Sequence, residues 1–196
     1  MSILHKYNEF LQQKVSGPKP KARALADAVI EMYRDCPDLE FVYTICDQCE
    51  NKIDFFIWKE IVYPELAARM LDDPRAVRGM IQTIQNLYSS KHEWNSLQWV
   101  TEYQLVANLL KMVPDDPWAQ ERRENCLVAE LEHAIHEWPS GILYGMNGAT
   151  TEQCEEILDM VVELRDFDTD GRIIAFCDDV EEKTRQYMSR LDNTNH

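Results

Sequence analysis

Three groupings in this chain of 196 residues bring together side chains with metal or redox chemistry. Asp166, Asp168 and Asp170 alternate ahead of Gly171. Carboxylates so spaced can converge on one hard cation, and the glycine allows the sharp turn this needs. Glu130 and His133 stand three residues apart, a spacing that stacks them on one side of a helix, where both can reach a transition metal. Cys46 and Cys49 form a Cys-x-x-Cys pair, the spacing found in zinc and dithiol sites.

None of the three is complete. Residues 166–173 resemble the first half of an EF-hand calcium loop, with Ile173 at its aliphatic position. The twelfth position is Cys177, where a bidentate Glu is needed, and the ninth is Ile174, which has no side-chain oxygen. Calcium is therefore expected to bind no tighter than roughly millimolar. The competing reading is a polar Asp-Gly turn joining two helices. Glu130-x-x-His133 matches half of a di-iron bundle signature, and the chain has no second Glu-x-x-His to complete it. With Leu131 at the centre of its helix's apolar stripe, His133 points about 160° away and His136 about 140° away, toward solvent. The two cysteines fall on an apolar stripe with no second pair near, so both are expected to be reduced, largely buried small hydrophobes.

Nucleophile and phosphate motifs are missing too. Ser140-Gly141 lacks the Gly-x-Ser-x-Gly turn, and there is no Gly-Lys-[Ser/Thr] loop. No catalytic residue, metal ligand or cofactor is assigned. An enzyme or cation-binding protein built on Asp166, Asp168 and Asp170, or on Glu130 and His133, stays as the alternative reading.

The elements that would position such groups read as helices nearly throughout. Ser2 can cap a first stripe of Ile3, Tyr7, Phe10, Leu11 and Val15, which Gly17-Pro18 ends. Leu25 to Tyr33 and Leu39 to Cys49 follow. A long apolar helix is expected from Ile53 to Leu71, kinked at Pro64. Val77 to Tyr88, Leu97 to Val113 and Leu127 to Trp138 keep helical spacing. Cys154, Ile157, Leu158, Val161 and Val162 make a helix capped by Thr150 or Thr151, and Ile173 to Leu191 make the last. The count is about nine helices with no convincing strand.

Asp72-Asp73-Pro74 and Asp115-Asp116-Pro117 look alike, the second Asp capping and Pro taking the first helical position. Asp35-Cys36-Pro37-Asp38 is a weaker copy. The expected fold is all-α: one domain spanning residues 1–196, either an irregular bundle or a short α-solenoid of helical hairpins. A helical-repeat scaffold is accordingly a further functional alternative. Residues 139–149 hold half of the six glycines and form the main break, with Leu143, Tyr144 and Met146 either presented to a partner or folded back on the core.

Charge is the most directional signal. The formal net charge is −15, and residues 150–196 alone carry five basic and thirteen acidic side chains. Residues 1–35 run the other way, at +2. So negative a field repels nucleic acid and anionic lipid and draws basic proteins. The apolar runs are too short to cross a bilayer, and Met1 to Lys6 contains no apolar leader core, so a cytoplasmic protein with reduced thiols is expected. Glu155, Asp159 and Glu163 repeat at four-residue spacing, and so do Glu152 and Glu156. Such like-charge neighbours cost a helix about 0.2–0.5 kcal/mol each. A face that tolerates this repulsion is either merely solvated or kept for a basic partner. The expected partner surface comprises Glu152, Glu155, Glu156, Asp159, Glu163, Asp178, Glu181 and Glu182, with Tyr144 and Met146. The expected activity is non-enzymatic binding of a basic protein, in its sharpest form an immunity or antitoxin inhibitor covering a basic toxin.

Overall fold

The computed structural model describes residues 2–49, 52–168 and 171–194, without the side chains of residues 193 and 194. It is all-α. With residues 55–67 counted as one rod, it holds eleven helices among the described residues, nine of them seven residues or longer. The chain forms two compact units, residues 1–114 and 115–196.

The first unit begins with α1 (Ile3–Ser16), capped by the Ser2 hydroxyl, which accepts the His5 N–H at 3.2 Å. α2 (Lys19–Asp35) packs against it across the Gly17-Pro18 link. α3 (Leu39–Asp47) is capped by Asp38, so Pro37 lies before the cap, unlike the proline of the other two Asp-Pro starts. The expected long helix from Ile53 becomes a composite rod of α4 (Phe55–Ile57), a π turn (Trp58–Val62) and α5 (Tyr63–Ala67). Pro64 has no N–H to continue the ladder, and the widened turn falls just before it. Leu71 lies outside the rod and is 84% exposed.

α6 (Pro74–Gln82) is capped by Asp73, which accepts the Arg75 N–H at 2.8 Å. It packs against α3, α5 and α9 and so forms the centre of the unit. Its stripe continues into α7 (Ile84–Tyr88) only after a break at Thr83. The Thr83 hydroxyl turns back to the Gly79 carbonyl at 2.9 Å and accepts the indole N–H of buried Trp58 at 3.2 Å. Such back-bonding loosens a helix. α8 (Lys91–Ser96) and α9 (Glu102–Met112) complete the unit. α9 starts five residues later than Leu97. Gln98 and Trp99 have φ of 55° and 61°, and the Trp94 indole N–H reaches the Val100 carbonyl at 2.8 Å, folding the chain into a turn. A capping box of Thr101 and Gln104 then starts the helix.

The second unit contains α10 (Pro117–Ala134), α11 (Thr151–Phe167) and α12 (Ile174–Thr194), with α11 packed against both others. Asp116 caps α10, and Thr150 caps α11 in a capping box with Gln153. Leu127 and Leu131 of α10, Cys154, Ile157, Val161 and Leu164 of α11, and Cys177, Val180 and Thr184 of α12 are all buried and make up the core. Val162, expected on the buried stripe, is 57% exposed. Within the break at 139–149 stand two short antiparallel strands, β1 (Leu143–Tyr144) and β2 (Asn147–Gly148). No helix among the described residues is long and apolar enough to cross a membrane.

Candidate functional site

The β1–β2 hairpin and the first turns of α11 form the site. Gly145 has φ +60°, and Gly145-Met146 are the two residues that turn the chain between paired Tyr144 and Asn147. A glycine at the first turn position suits the right-handed twist of a hairpin. The base is sealed by buried Ile142 and Ala149, whose N–H donates to the Ile142 carbonyl at 2.8 Å.

Each helix of the unit holds the hairpin. From α10, His133 Nε2 donates to the Gly145 carbonyl at 3.0 Å. From α11, the Glu156 carboxylate accepts the Tyr144 hydroxyl. From α12, the Tyr187 ring lies so close that a Cβ built on Gly148 would be 3.1 Å from its hydroxyl. Pinned in this way, the turn presents Met146 at 94% exposure. Tyr144 therefore divides its roles: half-buried, it holds the hairpin, while Met146 alone is presented.

The eight acidic residues singled out from the sequence separate into two kinds. Glu155 and Asp159 are exposed, and no ion pair engages either among the described residues. Glu152 is exposed too. Its own backbone N–H and the Thr150 hydroxyl hold its carboxyl below the ordinary value. With Glu156 these residues line the first half of α11 beside the hairpin.

The others are occupied. Glu163 accepts from Arg123 Nε and Nη2 at 2.6 and 2.8 Å, and Arg123 is only 6% exposed. Glu163 therefore ties α11 to α10 and is not part of a free acidic face. Arg165 bridges to Asp178 and Glu181, each at 2.7 Å, tying α11 to α12. The Arg165 and Arg185 guanidinium groups hold the Glu181 carboxyl below its ordinary value. Glu182 accepts from the Gln186 amide at 2.9 Å. Sequence reasoning passed over Arg123 and His133 as parts of the site. Arg123 had a visible signal, because it falls in the four-residue column Ala119, Arg123, Leu127, Leu131, where a cation needs a carboxylate.

The other groupings come out as follows. Asp170 lies outside the described residues. Asp168 accepts the backbone N–H groups of Arg172 and Ile173 at 3.0 and 3.1 Å, and Gly171 has φ +76°, so this side chain shapes a turn ahead of α12. His133 and His136 are exposed, as the helical geometry predicts. Cys46 is buried, and burial pushes its thiol pKa well up. Cys49 is only half-buried, less than expected, because α3 ends at Asp47 and its Sγ instead reaches the Gln82 carbonyl at 3.4 Å. Among the described residues no three His, Cys, Asp or Glu side chains gather as a metal cluster. The chain matches no protein-family model, and no curated protein or solved structure is significantly similar to it.

Proposed function

We propose that residues 115–196 form a docking surface for a basic protein, which the chain covers without performing chemistry on it. The observation that carries this reading is the juxtaposition of free carboxylates with a rigidly held apolar tip. Glu155 and Asp159 lie uncommitted on the helix that anchors the hairpin, Glu152 stands exposed beside them and is held only at the start of its own helix, and Met146 projects from the hairpin. Interfaces combine an apolar anchor with a polar rim, and methionine adapts to irregular partner surfaces. Unpaired carboxylates steer a cationic partner during encounter and exclude acidic ones. An inhibitor of the immunity or antitoxin kind, set over the cationic substrate cleft of a toxin, is the sharpest form of this reading.

The test joins capture to kinetics. Tagged protein is used to recover partners from its source, and the captured protein is identified by mass spectrometry. A basic partner is expected, associating about tenfold more slowly with the Glu155→Lys/Asp159→Lys variant at low salt. Added salt should narrow the gap as it screens the charges. Met146→Asp is expected to speed dissociation instead. An association rate unchanged by the double reversal would defeat the proposal.

A further inference from the structure

The first unit carries a cavity of different character. It lies between α1, α2 and the start of the rod and has a volume of about 430 Å³. Small-molecule sites span roughly 300–1,000 Å³. Its floor is Phe10, Ala22 and Ala26, all buried, and half-exposed Phe56 forms one wall. Ala22 and Ala26 stand one turn apart on α2, and their short side chains leave the space open.

The lip is cationic. The Arg23 guanidinium sits 3.7 Å from the centre of the Phe56 ring, so one group serves both wall and charge. Its pair with Asp27, at 3.1 Å, is exposed at both ends, and such pairs hold their partners weakly. Lys19 has no ion pair among the described residues. Asp54, the acid at the lip, is already matched by Lys14 at 2.7 Å and caps the Phe56 N–H. The N-terminus of α2 adds to the same sign. Its cap, Pro18, offers no side-chain acceptor, and its first turn contains no acid, whereas α3, α6, α9, α10 and α11 all have side-chain caps.

We infer that this cavity binds a small amphipathic carboxylate, its hydrocarbon body on Phe10, Ala22, Ala26 and Phe56 and its head between Lys19 and Arg23. Charge complementarity selects this occupant. Residues 1–35 carry a net charge of +2 in a chain whose net charge is −15, and Lys19, together with Arg23 in its weak exposed pair, stands over an apolar floor. A neutral lipid tail would leave Lys19 unanswered, and a bare anion such as phosphate would leave the floor wet. The inference is independent of the acidic docking surface, since every residue in it belongs to the first unit.

Titration calorimetry with octanoate, octanol and inorganic phosphate tests it on the intact chain. Octanoate is expected to bind saturably with a Kd on the order of 0.1–1 mM, as its size allows. Octanol and phosphate should each bind at least fivefold more weakly. Lys19→Gln/Arg23→Gln should weaken octanoate about tenfold, the scale of a charge-assisted contact, and weaken octanol by no more than about twofold through the lost wall contact. Phe56→Ala should weaken both ligands. All three substituted positions are exposed, and an unaltered circular dichroism spectrum checks the fold of each variant. Absence of saturable octanoate binding up to 10 mM, about tenfold above the expected range, would overturn the inference, and so would binding indifferent to these substitutions. Sedimentation with anionic lipid vesicles that requires Lys19 and Arg23 would replace it with a membrane surface.

Discussion

The two units use the same helical vocabulary and are each held together by a different balance of apolar and charged contacts. Residues 1–114 carry thirteen basic and fifteen acidic side chains, a net of −2, while residues 115–196 carry seven and twenty, a net of −13. The first unit is sealed by large apolar groups, including Trp58, Ile57, Ile61, Leu66, Met80 and Leu105, all buried. Its inner polar bonds include neutral ones beside the buried Glu93 carboxylate, which accepts from the Ser90 hydroxyl and pairs with Lys59 at 3.4 Å. Asn86 accepts the Ile53 N–H at 2.8 Å and donates to the Ile53 carbonyl at 2.9 Å, taking the place of a neighbouring strand. Both units tie helices with an arginine–carboxylate fork, but that of the first, Arg75 on Glu40, is exposed, whereas the second unit buries the arginine of its own, Arg123 on Glu163. Its acidity is therefore two things at once: carboxylates spent on structure, and carboxylates left over.

The largest effect that can test this contrast is in the first unit. Trp58→Ala is expected to cost about 3–5 kcal/mol through the cavity it leaves and the lost bond to Thr83. Hydrogen exchange followed peptide by peptide should show the loss across residues 55–88. Slow exchange persisting there would mean the apolar seal is not what holds this unit.

In the second unit Glu163→Ala should cost about 2–3 kcal/mol. This lies below the full penalty for breaking a buried pair because the Glu163 side chain is 37% exposed. Faster exchange in both α10 and α11 would confirm the tie. A neutral outcome would return Glu163 to the free acidic face.

A smaller effect follows from Glu181. Its native pKa is lowered, so the native state binds fewer protons than the unfolded chain. The stabilisation is fully present above the unfolded value, about 4.3, and is lost as pH falls through the lower native value. Because the pair is partly exposed, a few tenths of a kcal/mol is expected. The stability gap between the native sequence and Glu181→Gln in urea titrations should close as pH drops from 6 to 3, the range around that carboxylate value. A gap that widened on acidification would contradict the assignment.

The smallest effect sharpens the division most. Glu155→Lys/Asp159→Lys should change stability by less than about 0.5 kcal/mol, or raise it slightly by relieving like-charge repulsion. A urea midpoint that fell by more would show that these carboxylates too are structural.

Helical periodicity made most of the fold legible, because a buried stripe at 3.6-residue spacing leaves a direct trace in sequence. So did the caps at Ser2, Asp73, Asp116 and Thr150. Where periodicity misled, a tertiary bond outweighed it. The Trp94 indole folded residues 97–100 into a turn, and the Thr83 hydroxyl interrupted α6 and α7. Val15 belongs by spacing to the first stripe yet is 90% exposed, because the buried face of α1 is confined to Tyr7 and Phe10 and Leu11 is already 37% exposed. The candidate surface was legible as charge but not as commitment. Spacing showed Glu155, Asp159 and Glu163 as equals, and only the position of Arg123 on another helix distinguishes the third. The hairpin pairs two residues with two, too short a run for alternation to register.

Met146 has a chemical consequence of its own. A thioether so fully in water is open to peroxide, whereas that of Met80, with no accessible surface, is shielded by the core. Oxidation to the sulfoxide adds a polar, chiral oxygen at the side-chain end. The backbone beneath is fixed by bonds the sulfur does not make, so the fold would survive the change while the tip lost its affinity for oil.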